Sequence, residues 1–342
     1  MLPPAITSEG QATHDNQRLA NLEPKAITLE SIEAPVDSAS GVSITQITYS
    51  GWPDSYLLSN GIVEAIVVPA IGRVMQLRFI GDSAGTFWEN HELHGELHRS
   101  ASSEWLNFGG EKCWPAPQST WQLHQDRAWP PPSGFDPAPM QAIVTEDALE
   151  LSSAIDPGWG IQIVRRIELT ASQPVLRIQT EYRKLHGPPV EVAIWTIAQM
   201  REPERVCMLL DLKSKLVGSY VHLLAAEPAE LRIQGTVLSI GRHRRTFTKI
   251  GADGSSLAWI GPTCVVRIDV EPMPGKYPDG GCLTEIYTNP DPLAYVELET
   301  LSSLTTMSIG DRIPHIATYT VTHRSTRELL DEAQRAFSRG SK

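Results

Sequence analysis

Nowhere in the 342 residues do 18 apolar residues follow one another, so a membrane-spanning helix is excluded. The N-terminal Met1-Leu-Pro-Pro-Ala-Ile-Thr has neither a basic leader nor an apolar segment of signal-peptide length. A cytoplasmic protein is expected on this ground, or a periplasmic one if a leader has been removed. The four cysteines, at 113, 207, 264 and 282, form no Cys-x-x-Cys and follow no regular spacing, which argues against both a zinc site and a disulfide framework. Basic residues are scarce too: 29 Lys and Arg face 40 Asp and Glu, for a net charge of -11. With no basic cluster interleaved with aromatics, nucleic acid is an unsuitable partner. Arg242-His-Arg-Arg245 is the densest basic patch and reads as a turn or local anion contact. There is no internal repeat and no low-complexity tract.

What is present is a long series of short β-type runs. Residues 1–40 are polar and nearly free of aromatics, the composition of a flexible arm. From Val42 onward, alternating or β-branched segments are separated by Gly, Pro, Asn and Asp: Val42–Thr48, Tyr56–Leu58, Val63–Pro69, Val74–Ile80, Gln141–Val144, Ile161–Leu169, Val175–Tyr182 and Val190–Ile197. The series continues with Lys215–Leu224, Val237–Ile240, Leu257–Ile260, Val265–Val270, Leu283–Thr288, Leu293–Thr300 and Ile316–Thr322. This spacing predicts an all-β antiparallel sandwich over 41–324. Helical periodicity is convincing only near the end, where Ser325-x-x-Glu328 makes a capping box and Leu329, Ala333, Ala336 and Phe337 share a face. Residues 325–342 are therefore expected to form a short helix and tail that covers the sheet.

Several clusters could carry chemistry. In Tyr295-Val-Glu-Leu-Glu-Thr300, period-2 alternation puts Tyr295, Glu297 and Glu299 on one strand face. If that face lines a cleft, crowding would make one acid hold its proton tightly, as general acid–base work requires; the alternative is a solvated strand face. Asn289-Pro-Asp-Pro292 joins this strand to the one carrying Glu285. A register in which paired residue numbers sum to 582 would set Glu285 directly against Glu297 as a coupled dyad, whereas a one-residue slip would separate their faces. Asn107-Phe-Gly-Gly-Glu-Lys-Cys-Trp114 reads as a glycine-rich loop able to bring Glu111, Lys112 and Trp114 to one ligand. Trp114, Trp121 and Trp129 suit either stacking of sugar C–H faces or core packing. Arg73, after Gly72, could donate to a ligand or pair with a structural carboxylate, and Tyr277-Pro-Asp279-Gly leads into the Glu285 strand. Trp129 to Pro139 reads as a long, stiff loop. His91, His94 and His98 are spaced for one helix face, but Gly95 interrupts the segment, and a polar turn is expected in place of a metal site.

Taken in order, Asn60-Gly61, Gly72-Arg73-Val-Met-Gln-Leu77, Tyr295-Val-Glu-Leu-Glu-Thr300, Gly310-Asp311 and His315-Ile-Ala-Thr-Tyr319 resemble the aldose 1-epimerase (galactose mutarotase-like) superfamily over about Val42 to Thr322. Gly-Gly-Glu-Lys-Cys-Trp-Pro-Ala-Pro117 and Tyr277-Pro-Asp-Gly280 look more specifically like an uncharacterised bacterial branch of it. The resemblance implies a large antiparallel β-supersandwich with a carbohydrate cleft, a small-molecule sugar as partner, and no cofactor. In that superfamily a Glu takes the anomeric hydroxyl proton while a His protonates the ring oxygen. Glu297 matches the base, with Glu299 beside it in support. The segment that should hold the His, Val190 to Gln199, offers Trp195 in its place. Two expectations follow: an epimerase-type enzyme with Glu297, Glu285 and the ligand contacts Arg73, Glu111, Lys112, Trp114, Trp195, Tyr277, Asp279 and Glu299, or a carbohydrate-binding protein without chemistry. A cleft filled by its own side chains would make the chain a structural relic. Lys112, Glu111, Tyr277 or Glu285 could supply the missing acid.

Overall fold

The computed structural model describes residues 29–31, 36–37, 41–97, 105–325 and 328–338. Two antiparallel sheets, of 13 and 10 strands, pack on each other. The centre of the larger sheet runs Val63–Val68, Arg73–Phe79, Glu111–Ala116, Val190–Arg201, Tyr295–Leu301, Thr284–Thr288, Thr248–Ala252. The smaller sheet is built around Ser256–Ile260, Cys264–Val270, Arg312–His323, Val175–Lys184 and Ile161–Leu169. Ile161, Ile163, Ile167 and Leu169 alternate inward and meet Leu77, Cys113, Ala198 and Leu298 in one core. This is the all-β supersandwich expected from the strand spacing.

The C-terminal helix spans Leu329–Ser338. Its Ala333 and Ala336 are buried against Cys207, Ala258 and Val265, with Leu329 and Phe337 alongside, so it covers one sheet as expected. It starts later than its capping-box pattern suggests, and the Ser325 N–H donates to the Glu332 carboxylate at 2.7 Å. Of the 1–40 arm, Leu29–Ser31 and Val36–Asp37 pair with Ser43–Tyr49, and the rest lies outside the described residues. Lys215–Leu224 is not a strand but a 3-10 turn, Val217–Ser219, followed by the two-residue Val221–His222. Strands at Leu149–Ile155, Arg205–Leu209, Ala229–Gln234 and Thr248–Ala252 went unseen in the sequence because each is short or polar on one face. All four cysteines are buried and unpaired. Arg242 and Arg244 both reach Glu202, and Arg242 also reaches Asp291, so the basic patch is a local contact to acids.

The largest departure is Glu111–Ala116, a central strand where a loop was expected. Gly109 and Gly110 deliver it: both have positive φ, 89° and 71°. A Cβ at Gly109 would lie 2.2 Å from the Trp88 carbonyl and one at Gly110 2.6 Å from the Val74 carbonyl. Because the segment is a strand, neighbouring side chains point to opposite faces. Glu111 therefore turns between the sheets, where it pairs with Arg165 of the facing sheet, both fully buried. This corrects its expected place at the ligand. His315 also faces inward: its Nε2 lies 2.7 Å from Thr300 Oγ1, which lies 2.6 Å from Thr196 Oγ1. Burial pushes the His315 imidazole down to about 4, so at neutral pH it is an uncharged cross-sheet tie.

Removing one member of a buried ion pair leaves an uncompensated charge, which costs about 3–5 kcal/mol, whereas replacing both with apolar groups is often neutral. Arg165→Leu should therefore lower stability in urea titrations by about that amount, and Glu111→Leu/Arg165→Leu should regain most of it. If the double variant is as unstable as the single, the pair is not what holds the sheets in register.

Candidate functional site

On the face of the large sheet turned away from the core, alternation gathers side chains from five adjacent strands. Registers Gln199↔Glu297 and Ile197↔Lys112 align the Val190–Arg201 strand with its two neighbours. Tyr287↔Glu297, Glu285↔Glu299 and Lys249↔Tyr287 extend the row. Glu297, Glu299, Glu285, Lys112, Lys249, Gln199 and Trp195 thus share one surface. Glu285 faces Glu299 and lies diagonal to Glu297, a register that is neither the direct Glu285–Glu297 pairing nor the one-residue slip. The hairpin closes between Asn289 and Tyr295, with Asn289 N–H donating to the Tyr295 carbonyl at 3.1 Å. Leu293 and Ala294 therefore lengthen the turn beyond Asn289-Pro-Asp-Pro292. That shift of two keeps all three acids on the same face.

Two lysines organise these acids. Lys249 Nζ lies 2.6 Å from Glu285 Oε2 and 2.9 Å from Glu299 Oε2, and 4.5 Å above the Trp195 ring. Burial alone would depress this ammonium, but Glu285 and Glu299 outweigh it and hold its pKa above the usual lysine range. Trp195 Nε1 donates to Glu299 Oε2 at 2.6 Å, so the indole positions this carboxylate. Lys112 Nζ sits 3.5 Å from Glu297 Oε1 and over the Trp114 ring at 4.8 Å. Burial pushes Lys112 down to about 8, with Glu297 opposing. Glu297 also accepts from Gln199 Nε2 at 2.9 Å. Burial raises the pKa of Glu297 and, more strongly, of Glu285, against the attraction of the lysines.

Asp279 lies within electrostatic reach of Lys249 and Glu299, and burial raises its pKa as well. Arg73 is buried and bound to Asp136 Oδ1 at 2.5 Å and the Gly109 carbonyl at 2.6 Å, so it takes the structural of its two expected roles. Asp136, carried by the Pro-rich loop, accepts Trp114 Nε1 at 3.0 Å and Trp105 Nε1 at 3.1 Å on its other oxygen. Trp114 and Trp195 are buried and meet edge to face with ring centres 5.4 Å apart; they are walls more than open platforms. Trp129 is 37% exposed, packs edge to face against Trp105 at 5.2 Å, and offers the open indole. Tyr277 is half-buried with its hydroxyl 2.7 Å from Met273 N and 2.9 Å from the Met273 carbonyl.

Several buried polar atoms on this face lack a hydrogen-bond partner: Gln199 Oε1, Glu285 Oε1, Glu299 Oε1 and Lys112 Nζ, with Asn107 Oδ1 nearby. Buried polar groups in folded chains are nearly always satisfied, so these orphans single the face out as a candidate site. Gln199, Asn107, Trp105 and Asp136 were not among the expected site residues; only the alternation of Trp195, Ile197 and Gln199 could have pointed to one of them. The histidine segment forms a 3-10 turn, His91–Leu93, as expected, with His94 Nε2 3.3 Å from both His91 Nδ1 and Glu89 Oε2. His98 lies outside the described residues. Among the described residues no group of three or more His, Cys, Asp or Glu is placed to hold a metal ion, and no helix is long and apolar enough to cross a membrane.

The Lys112 amine should titrate near 8 in place of the ordinary 10.5. Because the Glu297 carboxylate favours the ammonium, Glu297→Gln should lower that value further. The Lys112 13Cε chemical shift followed against pH checks both; a midpoint near the ordinary lysine value would mean that the amine is solvated.

The chain matches no known family model and no curated protein. Its architecture, by contrast, recurs among solved structures. A candidate mutarotase from Salmonella typhimurium superposes with a TM-score of 0.53 at 11% identity, covering 86% of this chain and 97% of that one. A candidate aldose 1-epimerase from Escherichia coli K12 gives 0.51 at 12%, covering 79% and 99%. A galactose mutarotase-like protein from Lactobacillus casei gives 0.51 at 9%, covering 78% and 100%. At such identities the likeness is one of fold: the chain adopts the galactose mutarotase-like β-supersandwich.

Proposed function

We propose that this cleft binds a sugar and moves a proton on it, with Glu297 as base and Lys112 as acid in an epimerase-type reaction. The observation that carries the reading is the Glu297–Lys112 pair, 3.5 Å apart. Burial raises the carboxyl and lowers the amine to about 8. Proton transfer is most efficient when donor and acceptor have pKa values near the working pH, and this pair is brought toward that range from both sides. Glu297 is also the most accessible of the three glutamates, with 12% of its side chain exposed against 0% for Glu285 and 1% for Glu299. It would take the anomeric hydroxyl proton while Lys112 protonates the ring oxygen, so that the ring opens and recloses on the other face. Glu285 and Glu299, tied to Lys249, would hold the cleft's charge pattern and accept sugar hydroxyls; Trp129 and Trp105 would meet the sugar's C–H face.

A second reading, carbohydrate binding without chemistry, draws its support from Trp195. It stands where the resemblance places a His, and its N–H is held by Glu299 at 2.6 Å. Anomer interconversion of a panel of aldoses and uronates, followed by exchange NMR, separates the two. The enzyme reading expects accelerated interconversion that falls about 100-fold or more in Glu297→Gln and in Lys112→Met. Equal turnover in Glu297→Gln would remove that residue from the mechanism, and binding with no acceleration would leave the non-catalytic reading.

A further inference from the structure

Granting that the cleft takes a sugar, we propose that the sugar carries an ammonium group. Two independent observations lead there. The first is charge. Asp279, Glu285, Glu297 and Glu299 surround two buried cations on this face, Lys112 and Lys249. Arg73, the next nearest, is neutralised by Asp136 at 2.5 Å. Arg201, two residues beyond Gln199 on the same strand, donates to the Gly85 carbonyl and pairs with no acid among the described residues, but its register partner is Tyr295, at the end of the row away from Glu285 and Glu299. With all four acids ionised, an anionic sugar would add charge of the sign in excess, whereas a cation would offset it.

The second observation is unfilled hydrogen-bonding capacity. Lys249 reaches only the Oε2 atoms of Glu285 and Glu299. The Oε1 atom of each is buried without a partner, as is Gln199 Oε1, in residues at most 1% exposed. The vacancies on the acids are acceptors, aligned across one strand pair by the Glu285↔Glu299 register. An ammonium brings three N–H donors and a positive charge together, and charge-assisted bonds to carboxylates are about twice as strong as neutral ones. A hydroxyl could fill one vacancy but would leave the charge excess in place. Lys249 above the Trp195 ring already occupies one such acid-and-indole niche, and the ligand's ammonium would be its counterpart toward the mouth formed by Asp279 and Glu297.

The titratable groups facing this ammonium are Asp279, Glu285, Glu297 and Glu299, with Lys112, Lys249, Tyr287, Tyr295 and Cys282 around them. Burial favours the protonated form of Asp279, Glu285 and Glu297, and an arriving cation favours their ionised form. Binding should therefore release protons and tighten as pH rises toward neutrality. Calorimetry on the intact chain with glucosamine, galactosamine, glucose, galactose and glucose 6-phosphate tests this, in two buffers of different ionisation enthalpy. The expected result is an amino sugar bound about tenfold or more tightly than its hydroxyl counterpart, about 1.4 kcal/mol, with proton release seen for the amino sugar alone and the phosphate bound weakest. Glu299→Gln should shrink the amino-to-hydroxyl ratio whatever it does to absolute affinity; the wild-type comparison stands without it if the variant does not fold. Equal or tighter binding of the neutral sugar or the phosphate overturns the inference and leaves the sugar reading intact. Binding of none of the five overturns both.

Discussion

The buried pair of Glu111 and Arg165 is the contact on which the rest of this molecule's chemistry depends. It joins the centres of the two sheets, and because both side chains are fully buried, neither can turn outward without stranding the other. A strand's faces alternate strictly, so pinning Glu111 inward forces Lys112 and Trp114 onto the opposite face. The neighbouring Val190–Arg201 strand is locked in turn, through Ala198↔Glu111 and Ile197↔Lys112. That places Gln199 and Trp195 beside Glu297 and Glu299. A charge in the core thus decides which charges reach the cleft.

The charged face itself is an expensive arrangement. Taking acids and ammonium groups out of water costs several kcal/mol per ion unless geometry compensates. Lys249 does this for Glu285 and Glu299 at 2.6 and 2.9 Å. The Lys112–Glu297 contact is looser, at 3.5 Å, and Lys112 is the lysine whose burial cost is left unbalanced. A fold optimised only for stability would close that gap or replace the residues with apolar ones. The Lys112–Glu297 pair is thus a poorly compensated amine and carboxyl beside orphaned acceptors, the kind of perturbed pair that clusters at functional sites.

The sequence disclosed the fold through turn-punctuated alternation, and it disclosed the grouping of Glu297 with Glu299 because strand parity is a local property. The relation of Glu285 to that pair was only half readable. Parity survived, but register did not, since Leu293 and Ala294 belong to the turn and the pairing sum rises by two. Glu111 was misplaced for a similar reason: two glycines before it suggested a loop, whereas they let the chain pass so close to Trp88 that a Cβ at Gly109 would lie 2.2 Å from its carbonyl, and then enter a central strand. Lys249 did not stand out because its strand, Thr248–Ala252, is only five residues long. Asp136 was invisible, since its value lies wholly in joining Arg73, Trp105 and Trp114 from distant parts of the chain.

Trp195 standing where the resemblance expects a histidine looks at first like a loss of the acid. The surroundings suggest a substitution of means. An imidazole titrates near neutrality unaided, whereas a lysine needs several units of help. Enclosure of Lys112 between the Trp114 and Trp105 rings, 4.8 and 5.5 Å from its Nζ, supplies that help by excluding water. Trp195 contributes from the other side by packing edge to face on Trp114 and fixing Glu299. The same indoles thereby bring an ordinary amine down to about 8, toward the range in which an imidazole titrates.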